Sequence, residues 1–350
     1  RERARQDFTF FRRAYFPHYC LVGGDSRLHE WLDTELPRMA DAPEGVRLAI
    51  AAPRGEAKST FVSLFFVLWA VLTGRKHYIL IIADALEQAA SLLGAVKDEL
   101  EFNEALKRDF PGAGKGHVWN VGTVVTPGNV KIQALGAGKR MRGLRHGPHR
   151  PDLIVLDDLE NDGNVDKPEQ RDKLQSWLQK TVLNLGAADG SMDVVYVGTL
   201  LHYDSVLART LRKPLWKART FRSILRWPDR MDLWDEWESL LSSRGEAEAR
   251  RFYRQHRAKM EAGAEVSWPA SRPLYRLMCL RAEDREAFDS EQQNDPLSAN
   301  EAPFNGCITF WVDRSRDWLL FGAVDPSLGK QGAGRDPSAI LVGGFLRGSM

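Results

Sequence analysis

Residues 52–60, Ala-Pro-Arg-Gly-Glu-Ala-Lys-Ser-Thr, constrain this chain more than any other stretch. They lie between a short apolar run of strand type, Leu48-Ala49-Ile50-Ala51, and Phe61–Trp69, a mostly apolar segment of buried-helix length. A strand, a tight loop and a helix in that order aim backbone N–H groups and the positive helix end at an anion. The loop departs from the common phosphate-binding pattern G-x-x-x-x-G-K-[ST], because alanine stands at both glycine positions, Ala52 and Ala57. The lysine and the hydroxyl residues remain. Lys58 is placed to reach the β and γ phosphates of a nucleotide, and Ser59 to hold a magnesium ion. An ordinary strand-to-helix turn has the same outline, so the rest of the chain has to decide.

The 350 residues are enough for two domains, and 43% hydrophobic with 27% charged residues describes a globular protein. Forty-nine basic against 47 acidic residues leave a net charge of +2, so any nucleic-acid contact must use local patches. Cys20, Cys279 and Cys307 lie far apart and form no C-x-x-C pair, which argues against zinc or a disulfide framework and fits a reducing compartment. The longest apolar stretches, near 61–72 and 78–83, are too short to span a bilayer, so no membrane association is expected. The polar start Arg1-Glu2-Arg3-Ala4-Arg5 is not a signal peptide. The chain starts without methionine and stops soon after a strand-like run near 339–345, and it reads as a piece of a longer protein.

Apolar spacing predicts helices over residues 1–45, buried strands at 78–83, 153–156 and 192–197, and helices near 167–184 and 204–212. Alternation with turn signals predicts a β-hairpin over 117–135. Buried strands alternating with helices imply a parallel sheet covered on both faces. From 228 to about 300 the pattern turns helical and charged, and a strand pair follows at 317–325 and 338–345.

The strand Leu153–Leu156 ends in Asp157-Asp158, with Glu160 two residues on. One strand-end carboxylate suits a magnesium ion and a neighbour suits polarising water for hydrolysis. Asp157 is the metal candidate, while the catalytic base stays open between Asp158 and Glu160. Arginines on the glycine-flanked loop 138–147 either neutralise charge during phosphoryl transfer or are simply solvated; Arg142 is the first candidate and Arg145 the second. Arg54, inside the loop, is placed to sense the γ-phosphate. Gly198-Thr199 ends the next strand and either registers whether that phosphate is present or is a common strand-to-loop turn. Residues 209–226 carry seven basic residues and no acid, either a sequence-independent DNA contact or a solvated face that docks an acidic partner.

Taken together, these segments resemble the large terminase subunit of tailed bacteriophages, the ATP-driven motor that packages DNA. The likeness lies in the order of Leu28-His29-Glu30-Trp31-Leu32, Pro53-Arg54-Gly55-x-x-Lys58-Ser59-Thr60 and Arg142-Gly143 before Leu153–Asp158. It continues through Val197-Gly198-Thr199, Phe288-x-x-Glu291-x-Gln293-Asn294-x-Pro296 and Gly322-Ala323-Val324-Asp325-Pro326-Ser327. The resemblance implies an ASCE-type P-loop NTPase motor over 1–227 with a helical lead-in at 1–45. A helical linker at 228–312 and the start of a ribonuclease-H-like nuclease at 313–350 would follow. It implies that Arg54, Gly55, Glu56, Ala57, Lys58, Ser59 and Thr60 cradle ATP and magnesium, that His29 lies near the adenine, and that Thr199 couples hydrolysis to movement. Asp325 would be the first acid of a nuclease site using magnesium or manganese, whose other acids come later. Double-stranded DNA, a portal protein, a small terminase subunit and a homo-oligomeric ring on the procapsid are the implied partners, in the cytoplasm of the bacterial host. Another helicase-like DNA-dependent ATPase and a catalytically silent prophage packaging protein stay open beside it. Glu56 departs from the pattern in placing an acid close to the phosphates.

Overall fold

A computed structural model describes residues 1–139, 141–296, 318–325 and 339–346. Eight strands make one sheet: β1 (Arg47–Ala51), β2 (Tyr78–Ala83), β3 (Val118–Trp119), β4 (Thr123–Val125), β5 (Lys131–Gly136), β6 (Leu153–Asp157), β7 (Asp193–Gly198) and β8 (Lys217–Thr220). Their order is β3-β4-β5-β2-β6-β7-β1-β8, parallel from β5 to β8. The expected hairpin is the antiparallel β3-β4-β5 edge.

Strand periodicity sends alternate residues to opposite faces. Leu48, Ile50, Ile79, Ile81, Val155 and Val197 enter one core, while Ala49, Leu80, Ile154, Leu156 and Val194 enter the other. Burial on both faces explains why β1, β2, β6 and β7 read as unbroken apolar runs.

The first face is covered by α1 (Glu2–Gln6), α2 (Phe8–Tyr15), α3 (Arg27–Ala40), the helix Thr60–Leu72 and α5 (Leu86–Phe102). The helix Thr60–Leu72 opens with a π-helical stretch, Thr60–Phe66, before α4 (Val67–Leu72) continues it. A short α6 (Glu104–Asp109) follows α5. On the second face lie α8 (Pro168–Lys180), with α7 (Asp162–Val165) against it, and α9 (Val206–Leu211). Buried Arg12 of α2 holds Asp25 at 2.7 Å and Asp33 at 2.6 Å, fixing the 16–26 connection to α3.

Beyond the sheet, β9 (Ile224–Arg226) pairs with β10 (Glu265–Val266), and α10 (Met231–Arg244), α11 (Glu246–Met260), α12 (Leu274–Glu283) and α13 (Arg285–Glu291) surround a third core around Trp234, Trp237 and Leu277. The β9–β10 pairing stitches these helices to the chain on the sheet side of residue 227, and they share one compact unit with the sheet. A second unit contains the antiparallel pair β11 (Trp318–Asp325) and β12 (Ala339–Leu346). No described helix is long and apolar enough to cross a membrane.

Candidate nucleotide site

Strand order brings three of the sequence candidates to one edge. β7 pairs with β1 on one side and β6 on the other, so the loop after β1, the acids after β6 and Gly198-Thr199 after β7 are adjacent strand ends. The Ala52 N–H donates to the Gly198 carbonyl at 2.9 Å, and the Asp158 N–H to the Val197 carbonyl at 3.0 Å.

Buried Lys58 donates to Thr199 Oγ1 at 3.1 Å and stands 3.4 Å from Asp158 Oδ2. Thr199 Oγ1 in turn donates to the Ala52 carbonyl at 3.2 Å. Ser59 Oγ donates to Asp157 Oδ1 at 2.9 Å, and Ser63 Oγ, one helical turn on, donates to Asp157 Oδ2 at 2.5 Å. Burial, and then the charge of Asp158, push the Asp157 carboxyl up to about 6. A hydroxyl beside two crowded acids fits a hard divalent cation, which would relieve the repulsion between them. Ser59 and Asp157 are the residues that fit it, with Asp158 alongside.

Ala57, at the second missing glycine, has φ +56°, the left-handed conformation that glycine ordinarily supplies. The loop therefore keeps its glycine-type turn at a strain cost. Gly55 has φ +80°. Asp158 is also left-handed (φ +46°), a region Asp tolerates better than most residues.

Other candidates fall elsewhere. Glu160 accepts from the N–H groups of Val206 (2.7 Å) and Leu207 (3.0 Å) and from the Tyr196 hydroxyl (3.2 Å), so it caps α9. That leaves Asp158, not Glu160, beside Lys58. The Glu56 carboxylate is buried and accepts from Ser267 Oγ at 3.2 Å, so the acid expected close to the phosphates is held by a distant segment. Buried His29 accepts the Ser26 N–H at Nδ1 (3.1 Å), which leaves Nε2 to donate to the Glu56 carbonyl (2.9 Å), and its ring stacks on Phe61. It braces the loop and lines a cavity of about 430 Å³ with Tyr19, Ala57, Thr60, Phe65 and Trp268.

Arg54 forms an ion pair with Glu291. Arg142 and Arg145 are exposed and make no ion pair among the described residues. The backbone of Asp325 ends β11, and its side chain lies outside the described residues. In the basic run, Arg209 pairs with Asp204 and Asp172, Lys217 with Glu35 and Arg226 with Asp229. Arg212, Lys213, Arg219 and Arg222 keep no ion pair among the described residues. Sequence reasoning missed Ser63, Ser267, Arg272 and the bonding of Gln292 and Asn294. Only the Phe288–Pro296 motif signalled any of these.

No protein-family model matches this sequence, and no curated protein matches it. Among solved structures, the fold is similar to the large terminase of bacteriophage HK97 at 18% identity, over 76% of this chain and 55% of that one, with a TM-score of 0.44. It is also similar to the large terminase ATPase domain of Thermus phage P74-26 at 14% identity, over 75% of this chain and 92% of that one, TM-score 0.36. A variant of that domain aligns at 13% identity, over 73% of this chain and 90% of that one, TM-score 0.33. The chain thus spans about half the length of the HK97 protein.

Two predictions follow from the strained loop and the crowded acids. Ala57→Gly should raise stability by about 0.5–1 kcal/mol, since relief of left-handed strain exceeds the entropy glycine adds to the unfolded chain. A denaturation midpoint that stays put or falls would contradict it. Because Asp157 is raised above its unfolded value, its contribution is present at low pH and is lost as pH rises through about 6. Without divalent cations, Asp157→Asn should therefore stabilise the protein at pH 7 by roughly 1–3 kcal/mol, an advantage that vanishes near pH 4. Calorimetry at the two pH values checks this.

Proposed function

We propose that this chain is the motor part of a viral DNA-packaging ATPase. The observation that carries the ATPase reading is the convergence of Lys58, Ser59, Asp157, Asp158 and Thr199 at adjacent strand ends. The 52–60 loop would cradle the phosphates of ATP with its N–H groups, while Lys58 leaves Thr199 and Asp158 to meet the β and γ phosphates. A magnesium ion, held by Ser59 and by Asp157 through water, would neutralise charge on the transferring phosphoryl group. Asp158, released from Lys58, would orient and polarise the attacking water. Thr199 bonds both to Lys58 and to the loop carbonyl of Ala52, so departure of the lysine changes the end of β7, a route from phosphate to movement. The cavity beside Ala57 and Thr60, with its aromatic walls, suits the base of the nucleotide.

The rest of the reading comes from the sequence likeness. Arg212, Lys213, Arg219 and Arg222, which form no ion pair among the described residues, suit double-stranded DNA phosphates without base readout. A subunit ring on the procapsid, a portal protein and a small terminase subunit complete the motor, in the host cytoplasm. Arg142 or Arg145, exposed and unpaired, suits the role of an arginine that reaches a neighbouring subunit's ATP. Asp325 would supply one acid to a magnesium- or manganese-dependent nuclease built with strands beyond this chain.

With magnesium and double-stranded DNA, Lys58→Ala should lower kcat/KM for ATP by about 100-fold or more, and DNA stimulation should fade as salt rises. Wild-type turnover no greater than that of folded Lys58→Ala would sink the ATPase reading. In the full-length protein, Asp325→Ala should abolish plasmid nicking and spare ATP hydrolysis. Nicking that persists would remove Asp325 from the nuclease site.

A further inference from the structure

Three consecutive residues of the phosphate loop are held by the part of the chain beyond the sheet. The Arg54 side chain pairs with Glu291, and its N–H donates to the Glu291 carbonyl at 2.9 Å. The Glu56 carboxylate accepts from Ser267. Between them, Arg272 Nη2 lies only 1.9 Å from where a Cβ on Gly55 would stand, so the guanidinium rests on the glycine itself.

Arg272 is braced from behind. Its Nη1 donates to Gln292 Oε1 at 2.6 Å, and its N–H donates to the Trp268 carbonyl at 2.8 Å. Gln292 is buried, accepts from Ser223 Oγ at 3.0 Å and donates to the Arg54 carbonyl at 3.5 Å. The half-buried guanidinium forms no ion pair among the described residues. Among the described residues its side chain donates to a neutral amide, and the carboxylates of Glu56 and Glu291 lie close enough to act on its charge.

We propose that Arg272 is a positioning residue of the phosphate loop, fixing the turn at Gly55, so that the helical part of the chain sets affinity for the nucleotide's phosphates. This rests on the nucleotide reading of the site. Gly55 sits at φ +80° on the exposed crest of the loop, where an uncovered glycine keeps wide backbone freedom. Ordering it in advance removes a cost that phosphate binding would otherwise bear.

The test compares Arg272→Gln, Arg272→Lys and Gly55→Ala with wild type and Lys58→Ala, by steady-state ATP hydrolysis and by amide exchange of the nucleotide-free protein. Arg272→Gln should raise KM for ATP about tenfold or more with kcat held within about threefold, and should speed exchange at Gly55–Lys58 while β2 and β6 stay protected. Arg272→Lys keeps the charge and should recover at least about threefold of that loss. Gly55→Ala places a methyl where the guanidinium lies and should raise KM similarly, and the double variant should be no worse than the poorer single one. Should Arg272→Gln fail to fold, Gly55→Ala and Arg272→Lys carry the test. If wild type hydrolyses ATP, Lys58→Ala does not, and Arg272→Gln matches wild type in KM and exchange, the role of Arg272 is overturned and the nucleotide reading stands. If wild type and Lys58→Ala are equally inert, both fall.

Discussion

The Asp157 carboxylate, fully buried at the end of β6 and accepting from Ser59 and Ser63, joins the acid-bearing strand to the helix that follows the phosphate loop. A buried carboxylate is costly, and two hydroxyl donors one helical turn apart offset part of that cost. The same bonds fix the rotation of the helix Thr60–Leu72, and with it the direction in which Lys58 leaves the loop. Asp158 then follows in a left-handed turn that brings its own carboxylate to the lysine. Gly198 leaves room for this: a Cβ there would stand 3.3 Å from Asp158 Oδ1 and 3.2 Å from Leu207. One buried acid thus fixes the relative placement of the loop, the second acid and the end of β7.

Most of the sheet was legible because its strands are buried on both faces, and double burial leaves unbroken runs such as Tyr78–Ala83 that no surface element would carry. The hairpin edge was legible from Thr-Pro-Gly and Pro-Gly-Asn. What could not be read is which distant segment meets which. Glu56 looks like a misplaced acid in its local context, and Ser267, 211 residues away, gives it a buried partner. Glu160 looked like a spare base next to the acid pair, yet Val206 and Leu207, 46 and 47 residues on, take its carboxylate as a helix cap. His29 was placed near the adenine by likeness. Its ring nitrogens are used by Ser26 and Glu56, which makes it a brace on the cavity wall.

The two alanines change the way the loop holds its shape. A glycine-rich loop reaches left-handed turns through its own backbone freedom. Here Ala52 is buried and bonded to the end of β7, and Ala57 is held left-handed against its preference. A conformation that the local sequence does not favour persists only when its surroundings over-determine it. Those surroundings are Glu291 on Arg54, Arg272 on Gly55, Ser267 and His29 on Glu56, and Asp157 on Ser59.

That arrangement also explains why the segment Gln292–Asn294 is polar yet buried. Gln292 ties Arg54 to Ser223. Asn294, left-handed at φ +50°, accepts the Leu200 N–H at 2.9 Å and donates to the Phe221 carbonyl at 2.8 Å. The segment therefore touches the phosphate loop, the residue after Thr199 and the connection after β8 at once. A shift of Lys58 or Thr199 that moved Leu200 would strain Asn294, whose polar groups have no water to replace what they lose. Buried polar networks of this kind are rigid when fully paired and costly when broken. The segment that follows the helices after β9 is thus hydrogen-bonded to the residues that follow β1, β7 and β8.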